Sequence, residues 1–202
     1  MTVIGLVGPI ASGKGVVADL LRERGFFYLS LSDRVREEAK RRGVPEERET
    51  LQNIGNELRL REGNDVLARR TADIIGTVSS SNVVIDGIRN PAEIEYLRER
   101  FEARIIGVIA SADVRFQLMQ RRKRPSDPET REVFDRLEQR DRGVGEEDHG
   151  QQVEACLNLA DVTVENPGLG EGGLENLRKN AEEAFHYVGI DARPGTIERR
   201  YA

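Results

Sequence analysis

The stretch Gly8-Pro9-Ile10-Ala11-Ser12-Gly13-Lys14-Gly15 fits the pattern GxxxxGK. Residues of these types at this spacing can hold phosphate. Glycines let the backbone curl so that successive N–H groups wrap phosphate oxygens, and a following helix N-terminus adds partial positive charge. Lys14 would then reach the β- and γ-phosphates of a nucleotide. The expected nucleotide-binding residues are Gly8, Ala11, Ser12, Gly13, Lys14, Gly15 and Val16. One position departs from the pattern. Gly15 stands where Ser or Thr would hold Mg²⁺. Ser12 and Asp86 are the remaining groups expected on the metal side.

Asp86 closes the apolar run Asn82-Val-Val-Ile-Asp86. At the carboxyl end of a strand beside the loop it would hold Mg²⁺ through water or orient an acceptor, because ligands bind at that edge of such sheets. Its bland reading is a cap on the turn Asp86-Gly87. Ser30-Leu-Ser-Asp-Arg-Val-Arg36 occupies a second strand end and the helix start after it. Asp33 reads as an N-cap there. Arg36, one turn in, is either a solvated helix residue or a group reaching toward an acceptor. Arg89 lies just past the Asp86 strand end. Phosphoryl transfer asks for positioning and for cations around the migrating charge, and arginine forks suit that task. Arg121, Arg124 and Arg140 are the candidates in the Arg-rich stretch near residues 121–150. Asn166-Pro167-Gly168 follows the last strand, either as a plain turn or as a turn facing an adenine edge. The histidines, His149 and His186, have no context for a catalytic triad or, with Cys156 alone, for a zinc set.

The elements that must position these residues alternate. Short apolar runs predict buried parallel strands at Val3–Val7, Phe26–Leu31, Asn82–Asp86, Arg104–Ala110 and Asp161–Glu165. Helical patterns lie between them. Gly13–Arg24 stops at Gly25, and Asp33–Arg42 stops at Gly43. Glu46–Arg61 and Asp65–Thr77 are separated near Gly63. Pro91–Phe101 has Asn90 as cap and Pro at its first position. Ala112–Lys123 and Glu129–Arg142 flank the polar hinge Arg124-Pro-Ser-Asp-Pro128, and Gly173–Tyr187 is last. The alternation predicts an α/β fold of three layers with a five-stranded parallel sheet. Residues 33–80 and 121–150 interrupt it. In a phosphotransferase these would be an acceptor-binding helical segment and a lid. One domain over 1–187 with a tail at 188–202 is expected.

Composition bounds the rest. The chain has 202 residues, 38% hydrophobic and 33% charged, and no tryptophan. That length supports one core. A net charge of −5 supplies no global field to recruit nucleic acid. Lone Cys156 excludes an internal disulfide. The first strand leaves no room for a signal peptide, and no apolar run is long enough to span a bilayer. A cytoplasmic protein with small nucleotide partners, no nucleic acid and no membrane is expected. A homodimer is left open.

With these residues in place, the chain resembles P-loop nucleotide kinases. GPIASGKG is similar to the adenylate kinase loop, which also carries Gly after Lys. Adenylate kinases place Thr next, whereas Val16 stands here. Ser30 to Arg36 resembles the Ser-Thr-Gly-Asp-x-x-Arg segment of nucleoside monophosphate kinases. Asp86-Gly-Ile-Arg89 resembles their Asp-Gly-Phe-Pro-Arg segment, one residue shorter. The nearest likeness is to a family of predicted nucleotide kinases, known mainly from archaea and related to adenylate kinase and dephospho-CoA kinase. It rests on Val35 to Glu38, Val84 to Arg89, Arg122 to Arg124, Arg140-Asp141, and Ala160-Asp161 to Asn166. The resemblance implies ATP and Mg²⁺ as cofactors and transfer of the γ-phosphoryl group to a ribo- or deoxyribonucleoside monophosphate. It gives Arg36, with Asp33 and Arg89, an acceptor-binding role and makes 121–150 a lid. Two other functions stay open: transfer to a ribose hydroxyl as in dephospho-CoA kinases, with Asp33 or Asp86 as base, and a nucleotide-binding regulator or slow NTPase.

Overall fold

A computed structural model describes residues 1–78, 80, 82–124 and 127–190. The tail expected at 188–202 therefore lies mostly outside the described residues, as do Pro125 and Ser126 of the hinge.

The five strands are β1 (Thr2–Val7), β2 (Phe27–Ser30), β3 (Asn82–Asp86), β4 (Arg104–Ile109) and β5 (Val162–Glu165). They form one sheet in the order β2-β3-β1-β4-β5, every neighbouring pair parallel. The helices are α1 (Lys14–Glu23), α2 (Leu31–Arg42), α3 (Arg48–Glu62), α4 (Val66–Ile75), α5 (Pro91–Phe101), α6 (Ala112–Arg122), α7 (Arg131–Arg142), α8 (Val153–Asn158) and α9 (Gly173–Tyr187).

Strand side chains alternate between two apolar layers, as the period of two requires. Ile4 and Leu6 of β1 pack with Val17, Leu21, Leu177 and Phe185 of α1 and α9. Val3 and Val7 face Leu31, Val35, Leu58, Leu67, Ile94 and Leu97 of α2 to α5. Both layers are closed to water, which is why the strands read as continuous apolar runs rather than as alternating ones. The reversal of strand order at β1 places its carboxyl end, where the loop begins, at the crevice between β3 and β4.

Several boundaries move from their sequence expectation. Leu31 opens α2 rather than closing β2, because Ser30 takes the extended N-cap position with φ −131° and ψ 130°. Asp33 is thus a first-turn residue and not the cap. Its charge still favours the helix N-terminus. The helix expected from Glu46 begins at Arg48, two residues later. Thr130 Oγ1 accepts from Val133 N and starts α7 at Arg131 rather than Glu129. The six-residue α8 was not expected; only Val153 and Cys156 are buried in it, too few to give a periodic signal. At α5 the expectation holds. Asn90 Oδ1 accepts from Ala92 N at 3.1 Å, and Glu93 Oε2 accepts from Asn90 N at 3.1 Å, a reciprocal capping box.

Candidate active site

The loop after β1 is held by close approach of backbones. Gly8 has φ +149°, and a Cβ there would lie 2.2 Å from the Val108 carbonyl oxygen of β4. Only glycine fits both demands. Ala11 takes φ +58°, a left-handed turn that costs a side-chain-bearing residue free energy. Gly13 has φ +107°, with Asn166 Nδ2 2.7 Å from where its Cβ would be. The helix α1 then starts at Lys14, which puts its N-terminus, with the unpaired first-turn N–H groups, directly at the loop.

Lys14 Nζ donates to the Gly8 and Pro9 carbonyls at 2.7 and 2.9 Å. Burial of the amine pushes it down to about 8, with the Asp86 charge pulling it back up and Arg89 adding to the depression. The sign of two pH effects follows. Between about pH 8 and the ordinary lysine range the unfolded chain binds more protons, so folding stability rises with pH there. Nucleotide affinity moves the other way, since the cation is lost from the free protein. Titration of an ATP analogue should show affinity falling above pH 8, with a limiting slope of about tenfold per pH unit. A flat profile to pH 9.5 would contradict the placement of Lys14.

Asp86 ends β3 opposite Ser30 of β2, in the strand next to β1. Its Oδ1 accepts from Gly87 N at 2.6 Å and its Oδ2 from the Tyr28 hydroxyl at 3.3 Å. Burial and the Asp86 charge push the Tyr28 phenol up to about 12. The carboxylate is only partly buried and lies within electrostatic reach of Lys14. That suits a nucleotide-borne Mg²⁺, which keeps several waters and needs one or two carboxylates besides the phosphates. Among the described residues no group of three or more His, Cys, Asp and Glu side chains could hold an ion by itself. Ser12, expected on the metal side, has its Oγ fully shielded, without a hydrogen-bond partner among the described residues and 3.0 Å from where a Cβ on Gly8 would stand.

Next to Asp86 opens a cavity of about 290 Å³. Ser32, Arg36, Gly87 and Arg89, which the sequence places after two strand ends, all line it. So do residues of α3 that the sequence did not single out: Arg48, Gln52 and Arg59. Asp141 of α7 organises them. It is fully buried and accepts from Arg48 Nη2 at 2.5 Å and Gln52 Nε2 at 2.7 Å, with Arg89 Nη1 at 3.6 Å. Burial pushes Arg48 below the usual guanidinium range, partly offset by Asp141. The only signal for Asp141 in the sequence was its place in the Arg140-Asp141 pair.

Other expected site residues are placed differently. Asp33 pairs with Arg36 at 3.0 Å, and Glu46 approaches the same guanidinium at 3.7 Å. Asn166 is buried and braces the loop: its Nδ2 donates to Ser12 O at 3.0 Å and its Oδ1 accepts from Gly168 N. Its side chain thus serves the loop, and only the backbone of the turn is left to face an adenine edge. Arg140 is tied to Glu146, Asn53 and Gln52 rather than turned to the loop. Arg121 and Arg124 are exposed at and beyond the end of α6 and do not line the cavity. Gly15 is exposed, and a Cβ there would meet nothing within 4 Å.

The sequence profile of AAA_18, described as an AAA domain, matches residues 4–154. A UPF0200/UPF0201 protein of Archaeoglobus fulgidus is 37% identical over 197 residues, which is 96% of this chain but 59% of that protein. The chain thus spans about three-fifths of that relative. A UPF0200 protein of Pyrococcus furiosus is 32% identical across 91% of this chain and 95% of its own length. Among solved structures, shikimate kinase from Bacteroides thetaiotaomicron superposes with TM-score 0.56 at 14% identity, covering 93% of this chain and 98% of that one. TT1252 from Thermus thermophilus gives 0.56 at 21% identity, covering 92% and 96%. At such identities the likeness shows the fold, a kinase-like α/β P-loop fold. No helix among the described residues is long and apolar enough to cross a membrane.

Proposed function

This chain belongs to the UPF0200 family, and from that premise we propose that it is an ATP-dependent phosphotransferase whose acceptor is a ribo- or deoxyribonucleoside monophosphate. One observation carries the reading. The arginine-lined cavity opens beside Asp86, and Asp86 lies within electrostatic reach of Lys14 in the loop. A phosphate donor and a phosphorylated acceptor would therefore meet at a ring of cations.

Lys14 and the loop amides left free within the loop hold the β- and γ-phosphates. Lys14 leaves the Gly8 and Pro9 carbonyls to do so. Arg36 and Arg89 hold the acceptor phosphate. Asp86 is the residue that would hold a nucleotide-borne Mg²⁺ through water, and such an ion would supply charge neutralisation for the transfer. Residues 33–80 form the acceptor segment. Residues 121–150 act as a lid, with Arg121, Arg124 and Arg140 moving onto the migrating charge and excluding water that would hydrolyse ATP. The kinase domain is residues 1–187.

The test is ADP release from ATP and Mg²⁺ with a panel of nucleoside monophosphates and with dephospho-CoA. Nucleoside monophosphates should each be compared with the acceptor-free rate, and at least one should raise it by a large factor. Release only with dephospho-CoA would overturn the acceptor assignment. Turnover indifferent to every acceptor would point to an NTPase or regulator instead. Gly15→Ser bears on the metal. The site has open space for the new side chain, so the fold should be retained. A hydroxyl next to Lys14 should lower the Mg²⁺ concentration for half-maximal turnover by a few-fold. An unchanged Mg²⁺ requirement would mean that the ion lies away from the start of α1.

A further inference from the structure

Two arginines that line the cavity beside Asp86 each carry a buried N–H group with no partner among the described residues. Arg59 of α3 is 2% exposed and paired with Glu93, which is fully buried. Its Nε and Nη2 both point at Glu93 Oε1, at 3.0 and 2.9 Å. Glu93 Oε2 is spent on the Arg89 and Asn90 backbone N–H groups. Nη1 is left over, shielded from solvent and without a hydrogen-bond partner. Arg48, on the same wall, has an unpartnered, shielded Nε as well. A buried donor left unpaired costs free energy that a bound acceptor atom would recover. Both orphaned groups are guanidinium N–H groups, which donate and never accept. Val35, Leu51 and Leu67 supply an apolar wall around them.

We propose that Arg59 reads the base of the acceptor nucleotide, its Nη1 donating to a carbonyl oxygen, so that oxo bases are selected over adenine. This rests on the nucleoside monophosphate reading above. Guanine and uracil present carbonyl oxygens on the edges where adenine presents its exocyclic amino donor. Against the two buried, unpartnered N–H groups of Arg48 and Arg59, the amino group meets like with like. A monophosphate of guanine or of uracil meets an acceptor-seeking N–H instead. The apolar wall packs either ring.

The experiment is a panel of GMP, UMP and AMP with the intact protein, ATP and Mg²⁺, reading kcat/KM from ADP release and affinity by calorimetry in the presence of an unreactive ATP analogue. GMP, UMP or both should exceed AMP by about tenfold or more in kcat/KM. The GMP and UMP arms distinguish a purine from a pyrimidine reader. Arg59→Lys keeps a cation for Glu93 but removes the guanidinium fork, and the selectivity ratio should fall toward one. A role in folding alone would lower all acceptors together and leave the ratio unmoved. Gly55→Ala is the second variant. Its Cβ would sit 3.6 Å from Arg59 Nη1 and 3.7 Å from Val35, ordinary contact distances, so it folds while crowding that N–H. It should reduce the same ratio. AMP used as well as the oxo nucleotides, or a ratio unaffected by both variants, would overturn the inference and leave the kinase reading standing. No binding or turnover of any nucleoside monophosphate would overturn both.

Discussion

Lys14→Ala is expected to slow ATP turnover by about 10²–10³-fold, the usual loss when one group aimed at developing charge is removed. The loop is the reason to expect so clean a loss. Gly8 and Gly13 are fixed by the Val108 carbonyl and by Asn166, neither of which involves Lys14. Among the described residues the lysine amine donates only to the Gly8 and Pro9 carbonyls, and in doing so it brings a cation out of water at a cost that shows in its lowered proton affinity. Removing it therefore takes away phosphate recognition without removing a support. Thermal unfolding followed by circular dichroism should show a midpoint no lower than that of the parent protein. The fall in nucleotide affinity above pH 8 should vanish in the variant. Substantial retained turnover would refute the cradle, and a collapsed fold would show that the lysine is structural.

The loop was legible because its chemistry is local. Glycine spacing, one lysine and the switch from an apolar run to an amphipathic one are adjacent in the chain. Asp86 and Arg89 were legible for the same reason, each within a few residues of a strand end, and the carboxyl edge of a parallel sheet is where ligands bind. Asn166 was visible as a turn residue but not as a brace. Its partner Ser12 lies 154 positions away in the chain, and no local pattern announces that contact. Arg48, Gln52 and Arg59 were hidden differently. They lie in a helix dense with charge, where most side chains are solvated, and only the packing of α3 against α2 and α4 decides which of them turn inward. Arg140 shows the converse. It looked free because it belongs to an Arg-rich stretch, yet Glu146, Asn53 and Gln52 occupy its donors. Charge runs declare a population of cations and not their partners.

The residue that joins these inward-facing groups also carries the largest expected effect on stability. Asp141→Ala should lower stability by about 3–5 kcal/mol, as when one partner of a buried ion pair is removed. Asp141 has no solvent access, and its two oxygens satisfy Arg48 and Gln52 while offsetting the charge of Arg89. Without it, Arg48 keeps a buried charge and loses an acceptor, and two guanidinium groups confront each other beside Lys14. For a chain of this size each kcal/mol shifts the midpoint by about 2–4 °C, so the melting temperature should fall by roughly 10 °C. Asp141→Asn keeps the shape and one acceptor but turns an amide donor toward a donor, and should fall between. Adding Arg48→Met to Asp141→Ala removes the stranded charge together with its lost partner. The double variant should be more stable than Asp141→Ala alone, because burying neither group costs less than burying one. That ordering separates a latch made of charge from a tightly packed contact, for which the double variant would be the least stable of the set.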